Sequence, residues 1–401
     1  AGADADAGHD ADGVEDSGDD GGPDADGTAD ADEEVGRDAD AVADGGDEAG
    51  HDAESVGDAE VDGDDDGETA ELGGCIEGAF SPYYGNLHAH TSDSDGEGTP
   101  EEAVAHARDL GGLDSMVVTD HVEQLYELWG APSGEYGECR AAAEAVTVAG
   151  SYVASCGFEY GSGYSLAGSN GHNNVFFSPS LFPMVQIEFR NFYRSVVGCP
   201  ECIVPFNHPR ETSTEDWADF EYHADVDLQL NLFEMNGDGP TWDTLFDALD
   251  AGWHVSPTNN QDNHSRSWGT ADDRRSGFYM EELSVDALRG AMAERRSFAT
   301  YDRNGSIRLM GEGRCWMGSI LSGATTLAVS AEAADPDAGD AFDTLELYGP
   351  AQSLLASVDC AGPSTCALDH EVTVTEATYA LARAMQADGD ELISAPIWAA
   401  P

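Results

Sequence analysis

His88 and His90 stand one residue apart in Asn86-Leu-His-Ala-His-Thr-Ser-Asp-Ser-Asp-Gly96. On an extended chain that spacing sends both imidazoles to the same face. A carboxylate-rich turn follows at once, and about 25 residues later a second apolar run ends in Thr119-Asp120-His121. Imidazole nitrogens and carboxylate oxygens at the ends of successive strands are donors suited to Zn, Mn or Fe. These residues point to a metal-dependent hydrolase.

Further donors follow in the same pattern. Glu159 follows the run Ser151–Phe158, His172 opens Gly171-His-Asn-Asn-Val-Phe-Phe, and His208 closes Ile203-Val-Pro-Phe-Asn-His. Asp262 and His264 close the run that begins at Val255. Taken singly, each is more ordinarily a buried polar group with satisfied hydrogen bonds. Nine ionisable groups gathered together would be costly without a compensating cation. His9, His51, His106, His223, His254 and His370 fall outside the pattern.

The elements that must position these donors alternate. Strand-like runs lie near 84–90, 114–120, 152–160, 173–178, 201–207, 226–235 and 253–260. Helical stretches separate them at 101–110, 137–149, 183–196, 241–250 and 284–296. Thr99-Pro-Glu-Glu102 is a helix start, with Thr as N-cap, Pro at the first helical position and Glu at the third. Alternating β and α units predict a parallel sheet closed, or nearly closed, into a barrel with its chemistry at the strand C-termini. After Tyr301 the runs Ser306–Met310, Thr325–Ala331, Phe342–Leu347, Ser353–Val358 and Glu371–Leu381 alternate like strands of a β-sandwich. The expected division is therefore an acidic tether over 1–73, an α/β barrel over 74–303 and a sandwich over 304–401.

Charge is uneven along the 401 residues. The formal net charge is -64, and the first seventy or so residues are mostly Ala, Asp, Gly and Glu, with no aromatic before Phe80. Such a segment cannot bury enough apolar surface to offset its ordering entropy, so disorder is expected. Asp62-Gly-Asp-Asp-Asp66-Gly67 suggests a calcium loop, but Gly73 occupies the twelfth position, where a bidentate acid is needed. All sixteen cationic side chains are arginine. The absence of lysine excludes Schiff-base chemistry and Walker-type phosphate binding. The acidity disfavours nucleic acid as the main partner.

Eight cysteines, at 75, 139, 156, 199, 202, 315, 360 and 366, suggest disulfides and an oxidising compartment. Cys199-Pro-Glu-Cys202 reads as a disulfide rather than half a zinc ribbon, because no second close pair accompanies it. No apolar run is long enough to span a membrane. The chain begins at Ala1 rather than Met, and removal of an export signal is expected. A secreted, periplasmic or cell-surface protein follows, with the N-terminal segment as its tether.

The ordered set His88-Ala-His90-Thr-Ser-Asp-Ser-Asp95-Gly96, Thr119-Asp-His121, Gly157-Phe-Glu159, His172, His208-Pro and Asp262-Asn-His264 resembles the motifs of the polymerase-and-histidinol-phosphatase (PHP) superfamily. The resemblance spans about residues 84–303, and its specificity lies in nine positions recurring in order. It implies a distorted (β/α)7 barrel carrying up to three divalent metals (Zn, Mn or Fe). His88, His90, Glu159 and Asp262 would hold the first, and Glu159 would bridge to a second held by His172 and His208. Asp95, His121 and His264 would hold the third. Some relatives have His where this chain has Asp95, and Asp93 is the rival donor in that turn. The final sandwich is similar to the tail of secreted relatives.

The implied reaction is attack by a metal-bridging hydroxide on a small phosphate ester. Arg210 and Arg266, each two residues beyond a proposed ligand, would suit a phosphate clamp. Asp120 would orient a neighbouring ligand. Carbaryl-hydrolase-like proteins are also similar in motifs and extra segments, so a carbamate or carboxylic-ester hydrolase is the alternative. A catalytically inactive surface or calcium-organising protein is a further one.

Overall fold

The computed structural model describes residues 73–127, 130–162, 171–183, 189–210, 217–235, 241–337 and 339–401. The expected acidic tether and the Asp62–Gly67 run lie outside the described residues, as does part of the expected 183–196 helix.

The first half follows the alternation read from the sequence. Its elements are β1 (Ser81–Asn86), α1 (Pro100–Asp109), β2 (Ser115–Val118), α2 (Glu135–Val146), β3 (Val153–Cys156), β4 (Phe158–Ser162), β5 (Gly171–Val175) and α3 (Phe189–Val197). Then come β6 (Val204–Phe206), a single left-handed turn α4 (Trp217–Phe220), β7 (Leu230–Glu234), α5 (Thr241–Ala251), β8 (Ser256–Thr258), β9 (Arg275–Met280), α6 (Val285–Ala293) and β10 (Ser297–Thr300). Helix α1 starts where Thr99 predicts. Its side chain accepts from the Glu102 N–H and Glu102 returns a bond to the Thr99 N–H, while Pro100 needs no partner at the first position.

β1, β2 and β3 pair in parallel, as do β6, β7 and β8. Isolated bridges join these ladders: His121 to Glu159 links β2 to β4, His172 to Asn207 and Phe176 to Ile203 link β5 to β6, and Ala89 to Asn263 returns to the end of β1. Inside this ring of pairings Leu87, Val117, Val153, Phe176, Ile203 and Leu232 pack together, and Leu288, Ala291 and Met292 of α6 cover them.

The pairing is mixed rather than all parallel. β5 runs antiparallel to β4, because the two are joined by residues 163–170 alone, too short a link for the crossover that a parallel pair needs. β9 is antiparallel to β1, and β10 to β9. Neither β9 nor β10 was legible as a strand. All six residues of β9 are buried, so the alternation that marks a half-exposed strand is missing.

The sheet continues through β10 into the C-terminal region by way of β19. That region contains β11 (Ser306–Gly311), β12 (Cys315–Trp316), β13 (Ile320–Ser322), β14 (Thr326–Ala334), β15 (Phe342–Gly349), β16 (Ser353–Asp359), β17 (Thr365–Thr373), β18 (Thr378–Gln386), β19 (Glu391–Ser394) and β20 (Ile397–Ala400). A four-stranded sheet, β12-β11-β14-β17, packs Ile307, Leu309, Leu327, Val329 and Ala331 against Leu345, Leu347, Ala382, Ala384 and Leu392 of the long sheet. The run Glu371–Leu381, expected as one strand, is broken at 374–377, because β17 and β18 belong to different sheets and the chain crosses between them there.

The cysteines form four disulfides: Cys75–Cys315, Cys139–Cys156, Cys199–Cys202 and Cys360–Cys366. Among the described residues no helix is long and apolar enough to cross a membrane.

Candidate metal centre

The nine candidate ligands converge at one end of the ring. His88 and His90 follow β1, His121 follows β2, Glu159 lies in β4, His208 follows β6, and Asp262 and His264 follow β8. His172 departs from the expected rule. It sits near the start of β5, and only because β5 runs backwards does that start face the ends of the other strands.

Glu159 is the hub. Its two oxygens lie 3.1–3.4 Å from nitrogens of His88, His90, His121, His172 and His208. Asp262 Oδ1 lies 3.2 Å from His88 Nε2 and 3.1 Å from His90 Nε2, and it is buried without a hydrogen bond. Donors about 2.1 Å from a tetrahedral ion stand about 3.4 Å from one another, so these spacings suit a shared cation. Three donor groups result: His88, His90 and Asp262; Glu159, His172 and His208; and His90, Asp95, His121 and His264. These groups differ from the expected partition in two ways: Glu159 falls with His172 and His208 but not with His88, His90 and Asp262, and His90 also reaches the third group. Asp95 joins the third group and Asp93 joins none of them.

The groups differ in access. His88 and Glu159 are sealed from solvent, whereas His264 is 40% exposed and Asp95 45%. The third group therefore forms the open rim. Gly96 makes that rim possible, because a Cβ there would meet the His90 and Thr91 backbone at 2.6–2.7 Å, so only glycine lets the turn fold back on the imidazole.

Several buried polar groups that hold the donors went unnoticed in the sequence. Glu234, at the end of β7, places both oxygens 3.1 Å from His88 Nδ1 and accepts from the His208 N–H and from Asn260 Nδ2. Asn207 donates to Glu159 Oε1 at 2.8 Å. A carboxylate ending the buried strand Leu230–Glu234 was the one available signal. Asp120 acts through an intermediary: it accepts from the Thr91 N–H and hydroxyl and from the Ser94 hydroxyl, and Ser94 in turn meets His90 Nδ1 at 3.3 Å. His208 and Asp262 both occupy left-handed backbone, at φ 28° and 47°. Conformations of this kind cost on the order of 1–3 kcal/mol and collect at functional sites.

Without a cation the cluster holds protons. Burial opposes charge on His88, His90 and His208, yet the neighbouring carboxylates outweigh it, holding His88 well above its usual value and His90 and His208 up at about 9. Burial likewise opposes ionisation of Glu159 and Asp262, but the imidazoles, His88 foremost, hold both below the ordinary carboxylate range. His121 moves the other way, lowered chiefly by burial. Protons here substitute for the positive charge that a bound metal would bring.

The two arginines are engaged elsewhere. Arg210 bonds Asp247 and Asp219 at 2.6 and 2.9 Å, and Arg266 pairs with Glu102 at 2.9 Å. Neither has a described contact with the nine donors. Substituting either with Ala is expected to change kcat/KM by less than about fivefold, the scale of an exposed ion pair. A hundredfold loss would return them to the role of phosphate clamp.

No protein-family model matches the chain, and no curated protein does. Among solved structures the chain is similar to a two-domain protein from Bacteroides vulgatus, described as containing a predicted PHP-like metal-dependent phosphoesterase. That similarity has a TM-score of 0.45 at 16% identity, over 79% of this chain and 93% of that one. It is also similar to the lesion-specific endonuclease EndoQ from Pyrococcus furiosus, with TM-score 0.36 and 15% identity over 66% and 62% of the two chains. PsfC from Pseudomonas syringae gives TM-score 0.33 at 14% identity over 49% and 82%.

Proposed function

We propose that the chain is a metal-dependent phosphoesterase of the PHP type, acting on a small phosphate ester with up to three divalent transition metals. The observation that carries this reading is the convergence of nine donors into three groups tied together by Glu159 and His90. Cations held there would supply a water nucleophile at neutral pH and neutralise phosphoryl oxygens. Glu159 and Asp262 set the negative charge that draws cations in, and Glu234 holds His88 with Nε2 turned towards them. Substrate would enter over the exposed rim of Asp95 and His264.

The ring of strand pairings supports reading residues 74–303 as the distorted (β/α)7 barrel, the packing of two sheets supports 304–401 as a sandwich, and the acidic, aromatic-free composition supports 1–73 as a tether. Four disulfides support a secreted or surface location. The strong acidity supports a small ester over nucleic acid as the substrate.

The test is a panel of aryl phosphates, phosphodiesters, aryl esters, carbamates and lesion-bearing DNA, run on protein of measured metal content. Turnover of a phosphate ester is expected. Turnover confined to esters or carbamates would sink the phosphoesterase reading, and cleavage confined to DNA would sink the small substrate.

A further inference from the structure

We propose a calcium site at one end of the sandwich, remote in sequence and chemistry from the histidine cluster, formed by Asp302, Asp335, Asp340 and the side-chain carbonyl of Gln386. Three chain segments meet there. Asp302 lies between β10 and β11, Asp335 and Asp340 lie between β14 and β15, and Gln386 ends β18. One oxygen from each of the three aspartates lies within 4.8 Å of the others.

Like charges at that spacing repel, and nothing described nearby neutralises them. The chain has no lysine. Among the described residues no arginine forms an ion pair with these three aspartates, and Arg303, next to Asp302, pairs with Asp273 instead.

Gln386 supplies the independent observation. It is 3% exposed, and its Nε2 donates to Asp335 Oδ2 at 2.8 Å, which places the amide head against the aspartate cluster. Its Oε1 is buried with no hydrogen-bond partner. Turning the amide over would set that oxygen against the Asp335 carboxylate and leave the NH2 unpartnered instead, so neither orientation satisfies both ends. A buried carbonyl without a donor is rare in a folded chain. Asn304, two residues beyond Asp302, repeats the pattern: its Nδ2 donates to Asp337 at 3.1 Å while its Oδ1 is buried without a partner.

A cation resolves the repulsion and the unmet Gln386 carbonyl together, since it pairs with the aspartates and accepts the carbonyl as a ligand. The donors are carboxylate and amide oxygens alone, with no imidazole or thiolate, which selects a hard ion. Calcium takes six to eight such oxygens in adaptable geometry, whereas magnesium demands a near-ideal octahedron that loops from three segments do not preform. The bound ion would tie the exit from β10 to the ends of β14 and β18.

The site is tested by calorimetric titration of the full chain, its transition metals already loaded, with calcium chloride, and by thermal unfolding with and without calcium. The same measurements are made on Asp302→Asn and Asp340→Asn. Wild type is expected to show one site with Kd on the order of 10⁻⁴ M, as in extracellular modules, and a rise in Tm. Each variant is expected to lose about tenfold or more in calcium affinity, together with the rise in Tm, while keeping hydrolytic activity. The acidic N-terminal segment is present in all three proteins, so its diffuse binding cancels in the comparison. If Asp302→Asn fails to fold, Asp340→Asn decides, because no described hydrogen bond depends on its side chain. Equal calcium affinity in wild type and Asp340→Asn, or an equal rise in Tm with magnesium, would overturn the site.

Discussion

Replacing Glu159 with Gln is expected to abolish hydrolysis, with kcat falling on the order of 10³-fold or more, the scale on which loss of a preorganised electrostatic group is felt. Five imidazoles stand within 3.4 Å of this one carboxylate, and it is sealed from solvent. The amide keeps the shape but removes the charge that faces imidazoles of all three donor groups, so metal content should fall as well. The metal-free variant should also be less stable, by about 3–5 kcal/mol, since protonated buried imidazoles would be left without their counter-ion. Elemental analysis, steady-state rates and urea unfolding in chelator report the three effects separately. Full metal content with full activity would remove Glu159 from the centre of the site.

Stripped of metal, wild type is expected to lose stability as pH rises from about 6.5 towards about 9. His90 and His208 are held up at about 9 and His88 well above its usual value, while the same groups titrate near 6.5 in the unfolded chain. A raised folded value gives stability that is complete below the unfolded value and lost as pH climbs through the folded one. The depressed carboxylates work at the other end. Stability from Glu159 and Asp262 is present above their unfolded values of 4.5 and 3.8 and is lost on acidification below them. His121, lowered by burial, costs stability only as pH falls below about 6.5, so it leaves the alkaline loss untouched. The metal-free optimum therefore falls between about 4.5 and 6.5. Bound zinc should erase the alkaline loss, because it takes the lone pairs that protons hold in its absence, so the Tm gained on adding zinc should grow with pH. Thermal unfolding across pH in EDTA and in zinc measures this, and an EDTA profile flat from 6.5 to 9 would contradict it.

Most of the candidate donors were legible because they follow runs of apolar residues, and a strand end is where a polar side chain can leave a sheet without breaking it; His172, which opens its run, and Asp95, in a turn, are the exceptions. The motif resemblance implied three groups, and the clusters of side chains depart from that division at Glu159 and His90. What escaped were the groups that contact donors rather than ions. Glu234 resembles one more polar residue of an alternating run until the fold sets it against His88. Arg210 and Arg266 show the converse. Position two residues past a ligand made them candidates, yet nearby carboxylates on other elements, Asp219, Asp247 and Glu102, claim their guanidinium groups.

By itself the sequence determined the alternation of elements, the start of α1, the cysteine count and the order of the nine side chains that the fold brings together. All of these depend on short-range spacing and residue chemistry. Only the tertiary structure decided that β5 runs backwards to bring His172 to the others, that β9 and β10 carry the sheet on into the sandwich, and that His90 serves two groups. These depend on which strands meet and in which direction. Contacts of that kind are made between residues 30 to 175 positions apart, as between Thr119 and Ala89 or Gln261 and Asn86, and no local pattern encodes them.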